Sequence, residues 1–188
     1  MRVSICSRRC AGLLLVLLVA MAGLACGRNR VLLDVDARSF MDSADMVHPY
    51  TAVGLVPFTV RLDSIPVNLI EGFADFGAAE SATIDLGVVY DNVLGTGTGR
   101  LRLYFSDDPA TLFSTAPVAI IEANLTPATS ATSTTHVQAD QRLLDLFSSK
   151  EFWMGADLEW LSVTLEPLQG TGSISQIDLH LVSTLDVF

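Results

Sequence analysis

From Val31 to Arg38 apolar and polar residues alternate. Val31, Leu33, Val35 and Ala37 share one face, and Leu32, Asp34, Asp36 and Arg38 the other. Period two marks a half-buried strand. The stretch from Phe40 to Pro57 is less regular, with His48-Pro49-Tyr50 and Val56-Pro57 as breakers. The beat returns at Phe58, Val60 and Leu62. Pro66 interrupts it, and Val67 to Phe73 reads as a strand near a sheet edge. The pattern then predicts a hairpin. Ile84, Leu86, Val88 and Tyr90 face inward, Leu101, Leu103 and Phe105 answer them, and Gly95-Thr96-Gly97-Thr98-Gly99 connects the two runs. In that hairpin Arg100 and Arg102 would lie beside Asp91 and Asp85 on the polar face.

Beyond a turn at Ser106–Pro109, Val118 to Leu125 reads as a strand apolar on both faces. Thr126 to Thr135 is a Thr/Ser/Ala stretch suited to a loop or an exposed edge. Asp140 can cap a short helix through Ser148, with Leu143, Leu146 and Phe147 at helical spacing. Phe152, Met154, Ala156, Leu158 and Trp160 then share a strand face. Val163 and Leu165 take the opposite parity, which predicts a β-bulge near Trp160–Leu161. Gln169-Gly170-Thr171-Gly172 reads as a turn. A last strand from Ile177 to Val187 sets Ile177, Leu179 and Leu181 inward, with Asp178 and His180 outward. About eight strands, regular turns and one short helix near 140–148 predict an all-β, antiparallel two-sheet sandwich. The absence of βαβ alternation argues against a parallel sheet. The order of turns, strands and the Leu-rich helix resembles, faintly, the immunoglobulin-like sandwiches of envelope lipoproteins.

The first 26 residues follow a different logic. Arg2, Arg8 and Arg9 form a positive head, and Ala11 to Ala25 is an uncharged run of fifteen residues. That run rises about 22 Å as a helix, short of the roughly 30 Å of a bilayer's hydrocarbon core. Its layout is that of a secretory leader. The end, Ala22-Gly23-Leu24-Ala25-Cys26, resembles the lipobox of bacterial lipoproteins, with Gly23 where that family usually has leucine. The resemblance implies cleavage before Cys26 and lipidation of its sulfur. The expected layout is a leader over 1–25, a lipidated cysteine and tether over 26–30, and one sandwich domain over 31–188. The implied location is the bacterial cell envelope, the outer membrane first, with the domain outside the cytoplasm.

Removing a leader with three arginines and no acid takes the net charge from −10 to −13. Such a surface repels phosphate backbones, which argues against nucleic acid. Cys6 and Cys10 leave with the leader, so no disulfide is expected. The glycine-rich stretch Gly95–Gly99 opens a strand and lacks the Lys-Ser/Thr pair of a phosphate loop. His48, His136 and His180 share no zinc spacing. No cofactor or metal is expected. Calcium would choose the carboxylate pairs Asp34/Asp36 and Asp107/Asp108, which otherwise serve as a solvated acidic face. Trp153, Trp160, Tyr90, Tyr104 and Phe152 read as core, with a sugar-binding face as the alternative. No catalytic constellation emerges. The resulting expectation is a membrane-anchored, non-enzymatic envelope protein with a structural or protein-interaction role, its partner another envelope protein. The alternatives are a carrier of an apolar ligand and a carbohydrate- or calcium-binding module.

Overall fold

The computed structural model describes residues 29–69, 76–149 and 151–185. The chain forms two antiparallel sheets packed face to face. The strands are β1 (Asn29–Asp36), β2 (Val47–Ala52), β3 (Phe58–Arg61), β4 (Ile65–Asn68), β5 (Phe76–Leu94), β6 (Gly97–Ser106), β7 (Ala119–Leu125), β8 (Thr129–Gln138), β9 (Glu151–Ser162) and β10 (Leu168–Leu185). One helix, α1 (Gln141–Ser149), precedes β9. The larger sheet runs β1-β10-β5-β8, and β2 continues the β1 edge along β10. The second runs β3-β9-β6-β7, and β4 continues the β3 edge along β9.

The expected two-sheet sandwich is what forms, with ten strands in place of about eight. The surplus comes from the irregular stretch after Ala37, which contains β2, and from Thr126–Thr135, most of which lies in the edge strand β8. Pro49 and Pro66 sit inside β2 and β4. Both strands lie at sheet edges, where a residue without an N–H is tolerated. The strand predicted over Val67–Phe73 thus begins at Ile65, and its residues 70–73 lie outside the described ones.

The predicted hairpin between β5 and β6 is absent. β5 bonds β10 and β8, whereas β6 bonds β7 and β9. The two-residue link Gly95-Thr96 carries the chain across the core from one sheet to the other. Gly95 holds φ +78°, and a Cβ there would stand 2.3 Å from the Pro167 carbonyl oxygen, so only glycine fits this corner. The inward faces were read correctly, since Ile84, Leu86, Val88, Tyr90, Leu101, Leu103 and Phe105 are all buried. They meet across the core, side chain against side chain, and their polar faces point to opposite sides of the molecule. The expected pairing of Arg100 and Arg102 with Asp91 and Asp85 is therefore ruled out.

Three smaller expectations change as well. The bulge near Trp160 is missing, because β9 pairs β6 in unbroken register from Gly97↔Ser162 to Ser106↔Trp153. Val163 and Leu165 stand in the following loop, which accounts for their parity. β7 alternates in burial, leaving Ile120 as its exposed apolar residue. Gln169–Gly172 is strand, the start of β10. Its glycines give clearance: a Cβ on Gly170 would lie 2.6 Å from the Tyr50 hydroxyl, and one on Gly172 would lie 3.0 Å from the Trp160 ring. Tyr50, Trp160 and Phe58 stack through that space, with centroids 4.9 and 5.8 Å apart.

Helix α1 closes the opposite end of the core. Asp140 Oδ1 accepts from the Leu143 backbone N–H at 2.9 Å, the predicted cap. Leu143 and Phe147 are buried, and Phe147 meets Phe105 and Phe152 edge-on or tilted at 5.6 and 5.2 Å. The serine after them faces a strand, where the Ser148 hydroxyl accepts from the Ala79 N–H at 2.8 Å.

Candidate functional site

The register of β10 defines two poles. At its first residues Leu168 faces Ala52 and Gln169 faces Leu94. At its last, Leu185 faces Asn29, the first described residue. Eighteen residues of strand separate these ends by about 55 Å.

The pole away from Asn29 gathers exposed apolar residues. Val53, Leu55 and Val56 lie on the loop joining β2 to β3, Val93 and Leu94 at the end of β5, and Val163 and Leu165 on the loop joining β9 to β10. The Val163 N–H donates to the Thr96 carbonyl at 3.1 Å and the Ala128 N–H to the Val93 carbonyl at 3.3 Å, and the strand pairs Ala52↔Leu168 and Phe58↔Trp160 bring the β2–β3 loop to the same end. Leu165 is 91% exposed, and Leu55 and Val56 are each 71% exposed. Gly54, Gly95 and Ala128 hold positive φ in these loops. Across 53–57, 93–96, 126–128 and 163–167 the single charged residue is Glu166. Single exposed apolar residues need no explanation, but a charge-poor cluster of them sets this pole apart from the rest of an acidic surface.

The outer face of the larger sheet carries a hydrogen-bonded chain across four strands. His180 on β10 is held between Asp34 on β1, 2.7 Å from its Nδ1, and Asp85 on β5, 3.1 Å from its Nε2. Asp85 also receives His136 Nδ1 from β8 at 2.6 Å. An imidazole facing carboxylates on both sides must donate from both nitrogens, so the cation is favoured. The bond to Asp34, supported by Asp85, raises the His180 pKa above 6.5, and the His136 bond lowers that of Asp85. The raised His180 value stabilises the fold below about 6.5 and loses that contribution as pH rises through the folded value. The lowered Asp85 value contributes above its unfolded range and is lost on acidification. Thermal melts should therefore show stability falling as pH rises from about 6.5, a step that His180→Gln removes. An equal step in the variant would refute the assignment. The effect is small, because these groups are solvent-screened.

The outer face of the second sheet holds a denser grid. Asp157, nearly buried, accepts from Arg102 Nη1 at 3.1 Å and from the Tyr104 hydroxyl at 2.9 Å. Glu159 accepts from Arg102 Nη2 at 3.0 Å and from Arg100 Nη1 at 3.2 Å, and Arg100 also reaches Glu122. The 3-10 turn Leu112–Ser114 folds over this face. A Cβ on Gly155 would strike Leu112 and Phe113, each at 2.7 Å. Arg61 lies over the Phe113 ring at 4.3 Å. Every carboxylate of this grid is engaged by a cation, a structural arrangement.

The predicted calcium candidates do not converge. Asp34 belongs to the His180 chain, and Asp36 binds Arg38, whose guanidinium lowers its pKa. Asp107 and Asp108 follow β6, where Asp108 Oδ1 accepts from the Ala110 N–H. Among the described residues no group of three His, Cys, Asp or Glu is arranged to hold a metal ion. Of the five aromatics, Trp160, Tyr90, Phe152 and Tyr104 are buried; Trp153, half-buried, lines a cleft of about 230 Å³ with Phe152, Asp107 and Glu151. Cys26 lies outside the described residues. No helix among the described residues is long and apolar enough to cross a membrane.

No protein-family model and no curated protein matches the chain. Solved structures match at the level of the sandwich. The structure of infectious bursal disease virus Gt strain is 10% identical, with a TM-score of 0.46 over 85% of this chain and 38% of that one. The VP2 subviral particle of the same virus gives 8% and 0.44, over 85% and 38%. A non-crystalline cellulose specific carbohydrate-binding module gives 9% and 0.36, over 70% and 78%. This chain thus spans little more than a third of the viral chains.

Sequence reasoning missed the apolar pole, because Val53, Leu55 and Val56 lie in a stretch without period. Its one signal was Leu165, apolar and out of parity beside the predicted bulge.

Proposed function

We propose that this protein is a lipid-anchored envelope protein that docks another envelope protein on its far pole. The observation that carries the reading is the apolar cluster of Val53, Leu55, Val56, Val163 and Leu165 at the end of β10 opposite the tether. A chain fastened through Cys26 would hold its own membrane at the Asn29 pole and present this cluster away from it. The cluster lacks the basic residues that would draw it to an anionic bilayer, which favours an apolar protein surface as its occupant. The grid on the second sheet and the chain through His180, on opposite outer faces, act as scaffolding.

Two measurements test the reading. Mass spectrometry should find an acylated cysteine at position 26 as the mature N-terminus, and Cys26→Ser should leave the membrane fraction. An intact Met1 or an unmodified Cys26 would end the anchoring half. A photo-crosslinking residue at Leu55 or Leu165 in intact cells should yield one protein adduct that is lost on adding a glutamate at the other of the two positions. The same probe at Asp145 should not. Adducts with lipid alone, or equal adducts at Asp145, would end the docking half.

A further inference from the structure

We propose that β8 is a self-association edge, through which two copies pair antiparallel and join their larger sheets into one. Among the described residues β8 is the last strand of its sheet and bonds only β5. Its ten residues hold one unbroken register, from Thr83↔Gln138 to Asn92↔Thr129, so its other side is a straight row of backbone donors and acceptors. Such an edge is a template for another strand, and proteins commonly blunt it with proline, charge, a bulge or short length.

The other edges of this molecule are blunted in these ways. β1 carries Arg30, Asp34 and Asp36. β2 and β4 contain Pro49 and Pro66. β3 has four residues, and β7 has seven and carries Glu122. β8 has none of these devices. It contains no proline, glycine, acid, lysine or arginine, and its one titratable side chain, His136, is turned back to Asp85 of its own sheet.

The occupant is a second copy because the strand complements itself. Centred on Ser133, antiparallel pairing sets Ser133 against its own copy, Thr132 against Thr134, Ala131 against Thr135 and Ser130 against His136, so each face of the strand meets the same face of its partner. Thr and Ser pairs of this kind are favourable across strands, and no like charges meet. The contact is isologous, so it closes as a dimer and leaves no free β8 edge. The opposing term is the net charge of −10 on each copy. β8 itself adds nothing to it, since no acid lies between Leu125 and Ala139; Asp85 and Asp91 stand one strand behind the edge, Asp85 is bonded to His136, and charge farther away is screened beyond about 8 Å at physiological ionic strength.

The test uses the full-length chain in detergent micelles, with Cys6, Cys10 and Cys26 replaced by serine. Single cysteines are placed in turn at the exposed positions Ser130, Thr132, Thr134, His136 and Gln138. Mild oxidation should give a disulfide-linked dimer that peaks at Thr132 or Thr134 and falls toward both ends. Ser130→Cys mixed with His136→Cys or Gln138→Cys should crosslink better than any of the three with itself. Adding Thr134→Lys to the Thr132→Cys chain should abolish the crosslink without moving the melting temperature; if that variant does not fold, His136→Lys on the same chain replaces it. A flat profile over the five positions, adducts with a different protein, or a crosslink indifferent to the lysine would overturn the proposal.

Discussion

Trp160→Ala should destabilise the fold by about 3–5 kcal/mol, the range for emptying a large buried aromatic site. Trp160 is fully buried, stacks on Tyr50 with an interplanar angle of 19°, and fills the space that Gly172 leaves open. The surrounding wall cannot collapse easily. The Tyr50 hydroxyl donates to Asn92 Oδ1 at 3.0 Å, and Asn92 in turn binds the Gly95 and Thr126 carbonyls at 2.9 and 2.8 Å. This network joins β2, β5 and the two loops at the apolar pole. The cavity would therefore loosen the pole before it reached the α1 end. Trp160→Phe should cost much less, since it keeps a ring and removes an indole N–H that is buried without a hydrogen-bond partner. Urea unfolding would measure both, and equal losses for the two variants would refute the packing account.

Leu103→Ala should cost about 2–5 kcal/mol, because Leu103 is fully buried between β7 and β9 at Ala119 and Ala156. Those two small neighbours cannot fill the vacated volume. Its chain neighbour Arg102 points outward, and alternation alone would assign Arg102→Ala the roughly 0–1 kcal/mol of an exposed pair. The structure raises that figure. Arg102 bridges Asp157 and Glu159, and its removal would leave Asp157 to the Tyr104 hydroxyl alone. A loss of about 1–3 kcal/mol is expected, the range for leaving a buried polar group without its partner. Arg102→Ala proving harmless would mean that water reaches Asp157 freely.

The contrast between Leu103 and Arg102 also shows what was legible beforehand. Period two assigned inward and outward positions correctly along β1, β5, β6, β9 and β10, because burial imposes alternation on any half-buried strand. It could not say whether neighbouring strands bond side by side or face each other across the core. Both arrangements bury Leu86 and Leu103, and only the corner at Gly95 separates them. Gly170 and Gly172 misled for a related reason: glycine is enriched in turns, and here it serves as clearance for Tyr50 and Trp160. The chain through Asp34, His180, Asp85 and His136 needed the strand order β1-β10-β5-β8, which alternation does not encode. The helix was legible almost to the residue, since its cap and its apolar spacing are local, although its contacts with Phe105 and Ala79 are not.

The antiparallel pairing of β1 with β10 has a mechanical consequence. A pull on Asn29 away from the far pole runs along β1, so its eight pairs with β10, from Asn29↔Leu185 to Asp36↔Asp178, are loaded in shear. Their hydrogen bonds share the load and must break together, where a peeling pull would break them one at a time. A molecule tethered at one end and gripped at the other would thus yield at a high force and abruptly, with β1 as the clutch.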